Sequence, residues 1–322
     1  MKRRNKAIIA ILCFLLLTVT IVGIFGLIEN VFDKSNGLSG NGSTGSNANE
    51  IMYNGEKYVK NRDISTLLLL GIDSMENTED ADSQQADFLV LLVMDKKTMK
   101  YKLLHINRDT MTEVKRINEY GVNTSSVTAQ IALSHGYGGT EQMRCFNTVY
   151  SVRNLLYGAD VDHFLSMTMD GVSVINDGLG GVTVTVNDDF SAVDPSLVKG
   201  ETVTLTGRQA LTYVRARGGM DDPTNLNRME RQKQYLSAMI EKLSDNDREK
   251  IADVILDAND HLFSDCTVEQ LTKILSAVCD YSFDGITALE GEAVKGDSYM
   301  EYHLDEKAAQ ATVIDLFYKK AE

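Results

Sequence analysis

Two apolar runs set the terms on which this chain can fold. Residues 66–72, TLLLLGI, and residues 88–94, FLVLLVM, are continuous rather than alternating in character. A strand that is apolar on both sides has to be covered on both faces, which calls for helices above and below a sheet. Later segments alternate between the two periodicities. KYKLLHIN reads as a strand, Thr140 opens a helix that Gly158 ends, HFLSMTM reads as a strand, Asp170 caps a short helix, and the turn GLGG leads to the strand VTVTV. The expected class is α/β, a mixed central sheet flanked by helices.

The ends of these strands carry the first candidate chemistry. The first run ends in Asp73, a 13-residue acidic loop follows, and Asp87 stands just before the second run. Asp95-Lys96-Lys97-Thr98 is turn-like and the third strand returns to Arg108-Asp109, so a hairpin places Asp87 and Arg108 at one end of the sheet. Asp73 reaches the same end if the first strand pairs antiparallel with the second. Two carboxylates beside an arginine suit a hard divalent cation bound to a phosphate. The competing reading makes Asp73 and Asp87 ordinary turn or cap residues at strand boundaries.

A second candidate lies in the stretch from Tyr213 to Ile240, which holds Arg215, Arg217, Arg228 and Arg231 in an otherwise acidic chain. Each guanidinium is a planar fork matched to phosphate or carboxylate oxygens. Thr206 and Gln209 form a capping-box pattern that opens a helix to about Tyr213. VRAR is then expected to run extended, with Arg215 and Arg217 on one side. Asn225 or Asn227 is expected to cap a further helix with the apolar stripe Met229, Leu236, Met239, Ile240 and Leu243. On it Arg228, Arg231, Gln232 and Tyr235 make one line from the N-terminus, where the helix dipole favours an anion. The alternative is a set of solvated arginines paired with Glu230, Asp221 and Asp222, each pair worth little.

The remaining chain sets limits. Its 322 residues suffice for one large domain or two small ones. MKRRNK precedes 22 uncharged residues, 7–28, long enough to cross a bilayer. We read residues 1–6 as a cytoplasmic tail, 7–28 as an uncleaved signal anchor in the cytoplasmic membrane, with a cleaved signal as the alternative, and 29–50 as a flexible extracytoplasmic linker rich in Gly, Ser and Asn. Residues 51–245 are the expected main domain and 246–322 a mainly helical extension packed on it, with short strands near 285–290 and 299–304. Lys2, Arg3, Arg4 and Lys6 add +4 to a chain of formal net charge −14, so the rest carries −18, a poor match for nucleic acid. Four cysteines are too few for a disulfide scaffold, and Cys266 and Cys279 flank one helix too far apart to bridge; free thiols are expected, with a bond from Cys145 to either as the alternative. Zinc-binding spacings, GxSxG and Walker A loops are missing. Residues 115–139 read as a lid or site wall with a helix from Val127 to His135.

Taken together, LLLLGIDS, the Asp87 strand, HINRDT, HGYGGTE, MTMDGVSVINDGLGGVTVTV, LTGRQALTYVRAR and NRMERQ resemble, in order, the motifs of the LytR-CpsA-Psr proteins of bacterial cell envelopes. The resemblance covers roughly residues 64–245. It implies an extracytoplasmic α/β domain on one membrane anchor that moves a phosphorylated glycopolymer from a polyprenyl pyrophosphate carrier to peptidoglycan. Position by position, Asp73 and Asp87 are similar to the Mg²⁺ carboxylates, and Arg108, Arg215, Arg217, Arg228, Arg231 and Gln232 to the pyrophosphate-contacting set. Asp109 is similar to the aspartate that orients Arg108, and Arg108, Asp109 and Arg217 are the expected catalytic residues. The chain departs from the family pattern at Gln85-Ala86 (usually Arg-Ser), Phe88 (Thr), Asn107 (Pro), Gln130 (Lys) and Asn225 (an acidic residue), so two positive charges are missing. Asp109 and Asp222 are the candidates for a general base. Phe88, Leu92 and Leu104 are candidate walls for a prenyl chain, against plain core packing. A non-catalytic lipid-pyrophosphate receptor and a metal-dependent pyrophosphatase are the competing functions.

Overall fold

In the computed structural model the two apolar runs are neighbouring strands at the centre of a six-stranded sheet. The structure describes residues 50–73, 84–244 and 248–321. The signal anchor, residues 29–49 of the linker, loop residues 74–83 and residues 245–247 at the expected domain boundary lie outside the described residues. Among the described residues no helix is long and apolar enough to cross a membrane.

The strands of the sheet are β1 (Ile64–Ile72), β2 (Ala86–Asp95), β3 (Lys100–Ile106), β4 (His163–Thr168), β5 (Leu262–Ser264) and β6 (Ser282–Ala288), in the spatial order β5-β4-β1-β2-β3-β6. β1, β2 and β3 pair antiparallel in succession, whereas β4 joins β1 and β6 joins β3 in parallel. The helices are α1 (Glu141–Leu155), α2 (Met169–Gly178), α3 (Gly207–Arg215), α4 (Asn225–Ser244), α5 (Arg248–Asp257), α6 (Val268–Ser276) and α7 (Glu306–Phe317). The expected mixed sheet between helical layers is the fold observed.

Both faces of the central strands are buried, as their composition requires. Leu68, Leu70, Leu89, Leu91, Leu104 and Ile106 pack under α1 and α7 through Val149, Val152, Val313 and Phe317. Leu67, Val90, Leu92 and Leu103 pack on the other side under Leu236 and Ile240 of α4, Ile251 of α5 and Leu271 of α6. A third cluster around Val182, Phe190, Leu205 and Tyr213 seats α3.

Residues Glu50–Glu322 form a single compact unit. The C-terminal part is more than a helical cover, because it supplies both edge strands of the sheet, β5 against β4 and β6 against β3, and the hairpin Gly291–Lys295/Met300–Leu304. Helices alone leave the ladder groups of β3 and β4 unpaired. The helix expected at Val127–His135 is replaced by the hairpin Met111–Ile117/Asn123–Gln130 and the 3-10 turn Ile131–Gly136. Its Ser- and Thr-rich sequence finds ladder partners there, and the apolar stretch is too short to hold a helix on its own. Thr140 caps α1 as expected, its side chain accepting from Met143 N. For α2 the cap position is Thr168, with Asp170 in the first turn. Cys145, Cys266 and Cys279 are free thiols.

Helix α3, which carries Arg215, starts in the expected capping box of Thr206 and Gln209. It is held close to α2 by Gly207, whose N–H donates to Asp177 Oδ1 at 2.7 Å. A Cβ at Gly207 would lie 2.5 Å from the Ser173 carbonyl oxygen and 2.6 Å from Asp177 Oδ2. Gly207→Ala is therefore expected to lose about 1–3 kcal/mol of stability through overpacking, read from the denaturant midpoint. An unchanged midpoint refutes the close approach.

Candidate functional site

A β-bulge puts the central carboxylate in place. The β1–β2 register passes from Gly71↔Phe88 to Ile72↔Ala86, so Asp87 has no partner across the ladder and turns at the sheet end. Asp87 is 8% exposed. Its Oδ1 accepts from Arg108 Nη1, just beyond β3, and its Oδ2 accepts from Arg228 Nη1 at 2.9 Å, in the first turn of α4. Asp73 lies at the end of β1, and its Oδ1 accepts from Arg215 Nη2 at 2.9 Å. Gln85 joins the two pairs: its carbonyl accepts from Asp73 N at 3.0 Å and its side-chain oxygen accepts from Arg108 Nη2.

Arg217 completes the mouth. It is exposed, and its guanidinium makes no hydrogen bond or ion pair among the described residues. Its charge still pulls down the proton affinity of Asp109 and disfavours ionisation of Arg228, so it lies near both. Asp73, Asp87, Asp109, Arg108, Arg215, Arg217 and Arg228 thus converge. The Nε atoms of Arg108 and Arg228 are buried without a hydrogen bond, although Arg108 Nε lies 3.5 Å from Asp109 Oδ1, so both are donors in reserve.

Arg231 and Gln232 are not part of this convergence. Arg231 is 3% exposed, donates from Nε to the Tyr213 carbonyl at 3.0 Å and from Nη2 to the Ala216 carbonyl, and pairs with Asp188 at 2.7 Å. Gln232 Nε2 donates to the Val214 carbonyl at 3.1 Å. Both hold the strap 213–216 from beneath. The strap itself differs from expectation, since α3 stays helical through Arg215 and Ala216 N still donates to Thr212 O. Tyr213 is fully buried and anchors that turn, and no Gly or Pro intervenes before Gly218. The N-terminus of α4 is capped by Thr224, whose Oγ1 accepts from Asn227 N at 3.3 Å, in place of either asparagine. The apolar stripe of α4 packs as expected, Met229, Leu236 and Ile240 buried and Met239 and Leu243 against the core.

Phe88, Leu92 and Leu104 do not share one groove. Phe88 and Leu92 face α4, whereas Leu104 pairs with Leu91 and faces α1 across the sheet. The period of two along each strand dictates this separation. The two base candidates differ in electrostatics. Burial raises the proton affinity of Asp109, against the pull of Arg108, Arg228 and Arg217. Asp222 is exposed, and the Thr224 hydroxyl and N–H hold its carboxyl below the usual range.

Sequence reasoning missed two features. The first is a chain of amides. Asn107 Oδ1 accepts from Asp109 N at 2.9 Å and from Asn225 Nδ2 at 2.7 Å, and Asn225 Oδ1 accepts from Arg228 Nη2 at 2.7 Å. Gln130 Nε2 donates to Asp109 Oδ1 at 2.9 Å and to the Met300 carbonyl at 2.7 Å. Asn107, Gln130 and Asn225 are three of the positions at which the resemblance implied other residues, and their falling together was the available signal. The second is His105 on β3, 3% exposed and packed on the Phe88 ring at 5.5 Å. Burial takes its imidazole down to about 4, with Gln232 working the other way and Arg228 adding to the fall.

The donor set fits a hard divalent cation that arrives with an anion. Asp73 and Asp87 offer carboxylate oxygens, and those already taken by arginines keep a second lone pair.

Comparison with known proteins places this geometry in context. The model of the LytR_cpsA_psr family matches residues 31–316. A relative from Halalkalibacterium halodurans, polyisoprenyl-teichoic acid–peptidoglycan teichoic acid transferase TagU, is 32% identical over 200 residues, 62% of this chain and 60% of its own length. The TagU of Bacillus licheniformis is 28% identical over 261 residues, 80% of this chain and 78% of its own length. Among solved structures, Bacillus subtilis TagV has a TM-score of 0.61 at 22% identity over 79% of this chain and 97% of its own. TagT bound to LI-WTA has a TM-score of 0.60 at 24% identity over 79% of this chain and 90% of its own. These two likenesses establish the shared fold.

Two outcomes test the geometry. Asp87→Ala leaves the buried Arg228 guanidinium without its carboxylate and Arg108 with Asp109 alone, and is expected to cost about 3–5 kcal/mol, whereas Asp73→Ala, in a pair about one-third exposed, costs under about 1 kcal/mol. Chemical denaturation that ranks them equally refutes the central role of Asp87. His105 is neutral when folded, while an unfolded histidine takes a proton near 6.5. Its stabilising contribution is whole above about pH 6.5 and is lost as pH falls toward 4, by at most about 1.4 kcal/mol per pH unit. Thermal midpoints across this window should fall less steeply in His105→Gln.

Proposed function

The chain belongs to the LytR_cpsA_psr family, and from that premise we propose that it is a membrane-anchored, extracytoplasmic transferase. It moves a phosphorylated glycopolymer from a polyprenyl pyrophosphate carrier to peptidoglycan. The observation that carries this reading is the convergence of Arg108, Arg215, Arg217 and Arg228 on one sheet end around Asp73 and Asp87. Such a mouth is complementary to a diphosphate, and the relatives named as teichoic acid transferases support transfer as its use.

The chemistry follows from the charges. A sugar hydroxyl of the acceptor attacks the phosphorus nearest the glycan. The new O–P bond forms as the bond from that phosphorus to the bridging oxygen breaks, and prenyl monophosphate leaves with the electron pair. Arg108, Arg217 and Arg228 meet the charge that grows on the departing side, which is the main demand of phosphoryl-type transfer. Asp109 takes the hydroxyl proton, because burial gives it the higher proton affinity of the two candidate bases. Asp73 and Asp87 would hold Mg²⁺, which when bound supplies further neutralisation of the phosphate oxygens. Arg231 and Gln232 act by fixing the strap that carries Arg215 and Arg217.

A second reading, a binder of lipid pyrophosphate without turnover, is favoured by Gln85 and Gln130, neutral where cations are usual. The full-length chain, purified in detergent, is to be given a labelled polyprenyl pyrophosphate-linked glycan, peptidoglycan and Mg²⁺. Label joined to peptidoglycan supports transfer. Binding without product supports the receptor, and prenyl phosphate released without acceptor supports hydrolysis. Arg217→Ala is expected to keep stability within about 0.5 kcal/mol while lowering turnover at least about tenfold. Asp109→Asn should bind donor but lose transfer. Wild-type turnover in both variants overturns the site assignment.

A further inference from the structure

Away from the arginine mouth, three unlike donor atoms meet in the interior. The 3-10 turn Ile131–Gly136 presents His135, and α1 presents Glu141 and, one turn later, Cys145. His135 and Cys145 are wholly buried, and Glu141 is partly exposed. His135 Nε2 lies 3.2 Å from Glu141 Oε1 and 3.6 Å from Cys145 Sγ, and Sγ lies 3.7 Å from Oε1. Tetrahedral zinc, with bonds of about 2.3 Å to sulfur and about 2.0–2.1 Å to nitrogen and oxygen, sets the corresponding edges at about 3.3, 3.6 and 3.5 Å.

The surroundings orient these donors toward one another. His135 Nδ1 faces the Gln84 carbonyl at 2.8 Å. A carbonyl cannot donate, so Nδ1 carries the hydrogen and Nε2 is turned to the triangle, the arrangement that fixes metal-bound imidazoles. Glu141 Oε2 accepts from Arg144 Nη2 at 2.9 Å and Nε at 3.2 Å, which leaves Oε1 toward His135 and Cys145. Ser166 Oγ also donates to Oε1, at 3.1 Å. A cleft of about 200 Å³ lined by Gln84, Glu141 and Ser166 opens to solvent at the Glu141 side of the triangle, an entry path and a place for water as a fourth ligand.

We propose that His135, Glu141 and Cys145 bind one zinc ion. The ion ties α1 to the 3-10 turn and, through His135, to Gln84, next to the residue that accepts from Arg108. The proposal stands on its own geometry and does not depend on transferase activity.

The test uses the full-length chain without a polyhistidine tag, stripped by a chelator and titrated with Zn²⁺ and with Co²⁺. One equivalent of zinc per chain, a raised thermal midpoint and a thiolate-to-cobalt charge-transfer band are expected. The band should vanish in Cys145→Ser and persist in Cys266→Ser, which removes the thiol of the second cluster, His163, Asp265 and Cys266. Glu141→Ala, at a partly exposed position, should weaken zinc binding by more than about tenfold without needing the buried thiol to change. Absence of the band from the wild-type chain, its survival in Cys145→Ser, or unchanged zinc affinity in Glu141→Ala overturns the proposal and leaves a proton-shared His–Glu–Cys cluster.

Discussion

The site depends on one carboxylate placed between two guanidiniums. Arg108 and Arg228 are 11% and 3% exposed at their side chains, and Asp87 accepts from both. Burial disfavours the charge on Arg228, Arg217 and Arg108 disfavour it further, and Asp87 is the main influence in its favour. A buried charge persists only when paired. Asp87 and Asp109, whose Oδ1 lies 3.5 Å from Arg108 Nε, face Arg108, Arg228 and the nearby Arg217, unpaired among the described residues, which leaves a local positive excess in a chain that is acidic overall. An incoming polyanion meets donors already desolvated and oriented, so little of its binding energy goes into arranging them.

A second level of structure keeps those donors aimed. Arg215 and Arg217 sit on a strap whose carbonyls, at Tyr213, Val214 and Ala216, are taken by Arg231 and Gln232 from α4. Arg231 also lies over the Phe190 ring, 5.6 Å from its centroid, and pairs with Asp188. Cations from one helix therefore serve in two ways. Arg228, in the first turn, reaches the mouth, and Arg231, one turn later, satisfies the C-terminal carbonyls of α3. Those carbonyls are the groups a helix leaves unpaired at its end, and an arginine fork with five donors can close several at once.

The strand logic of the sequence carried far. Continuous apolar runs mean strands covered on both faces, and the hairpin turn at Asp95 by itself places Asp87 and Arg108 together. What could not be read was the bulge at Asp87, because a one-residue slip leaves no mark in an apolar run that is buried on both sides. The same blindness to faces joined Leu104 to Phe88 and Leu92, which the sheet separates. VRAR looked extended because its arginines alternate, but Tyr213 in the third core held the helix for another half turn. Arg231 and Gln232 matched a ligand-contacting pattern by position, whereas tertiary contacts decide which way a buried polar side chain points.

The amide chain shows how neutral groups can do the work of charged ones without moving the site's balance. Asn225 accepts from Arg228 and donates to Asn107, and Asn107 in turn fixes the backbone of Asp109, so one line of dipoles links the two halves of the mouth. An acidic residue at 225 would add a second negative charge beside Arg228 and lessen the positive excess on which anion capture rests. Gln130 gives Asp109 a hydrogen bond while adding no charge. A lysine there would pull the carboxyl's proton affinity down, against the rise that burial imposes. Neutral amides at 130 and 225 give the mouth the same net charge as a lysine and an acidic residue there would, while Asp109 stays the more basic. Gln85 acts in the same way, since its side-chain oxygen accepts from Arg108 where a second guanidinium would repel it.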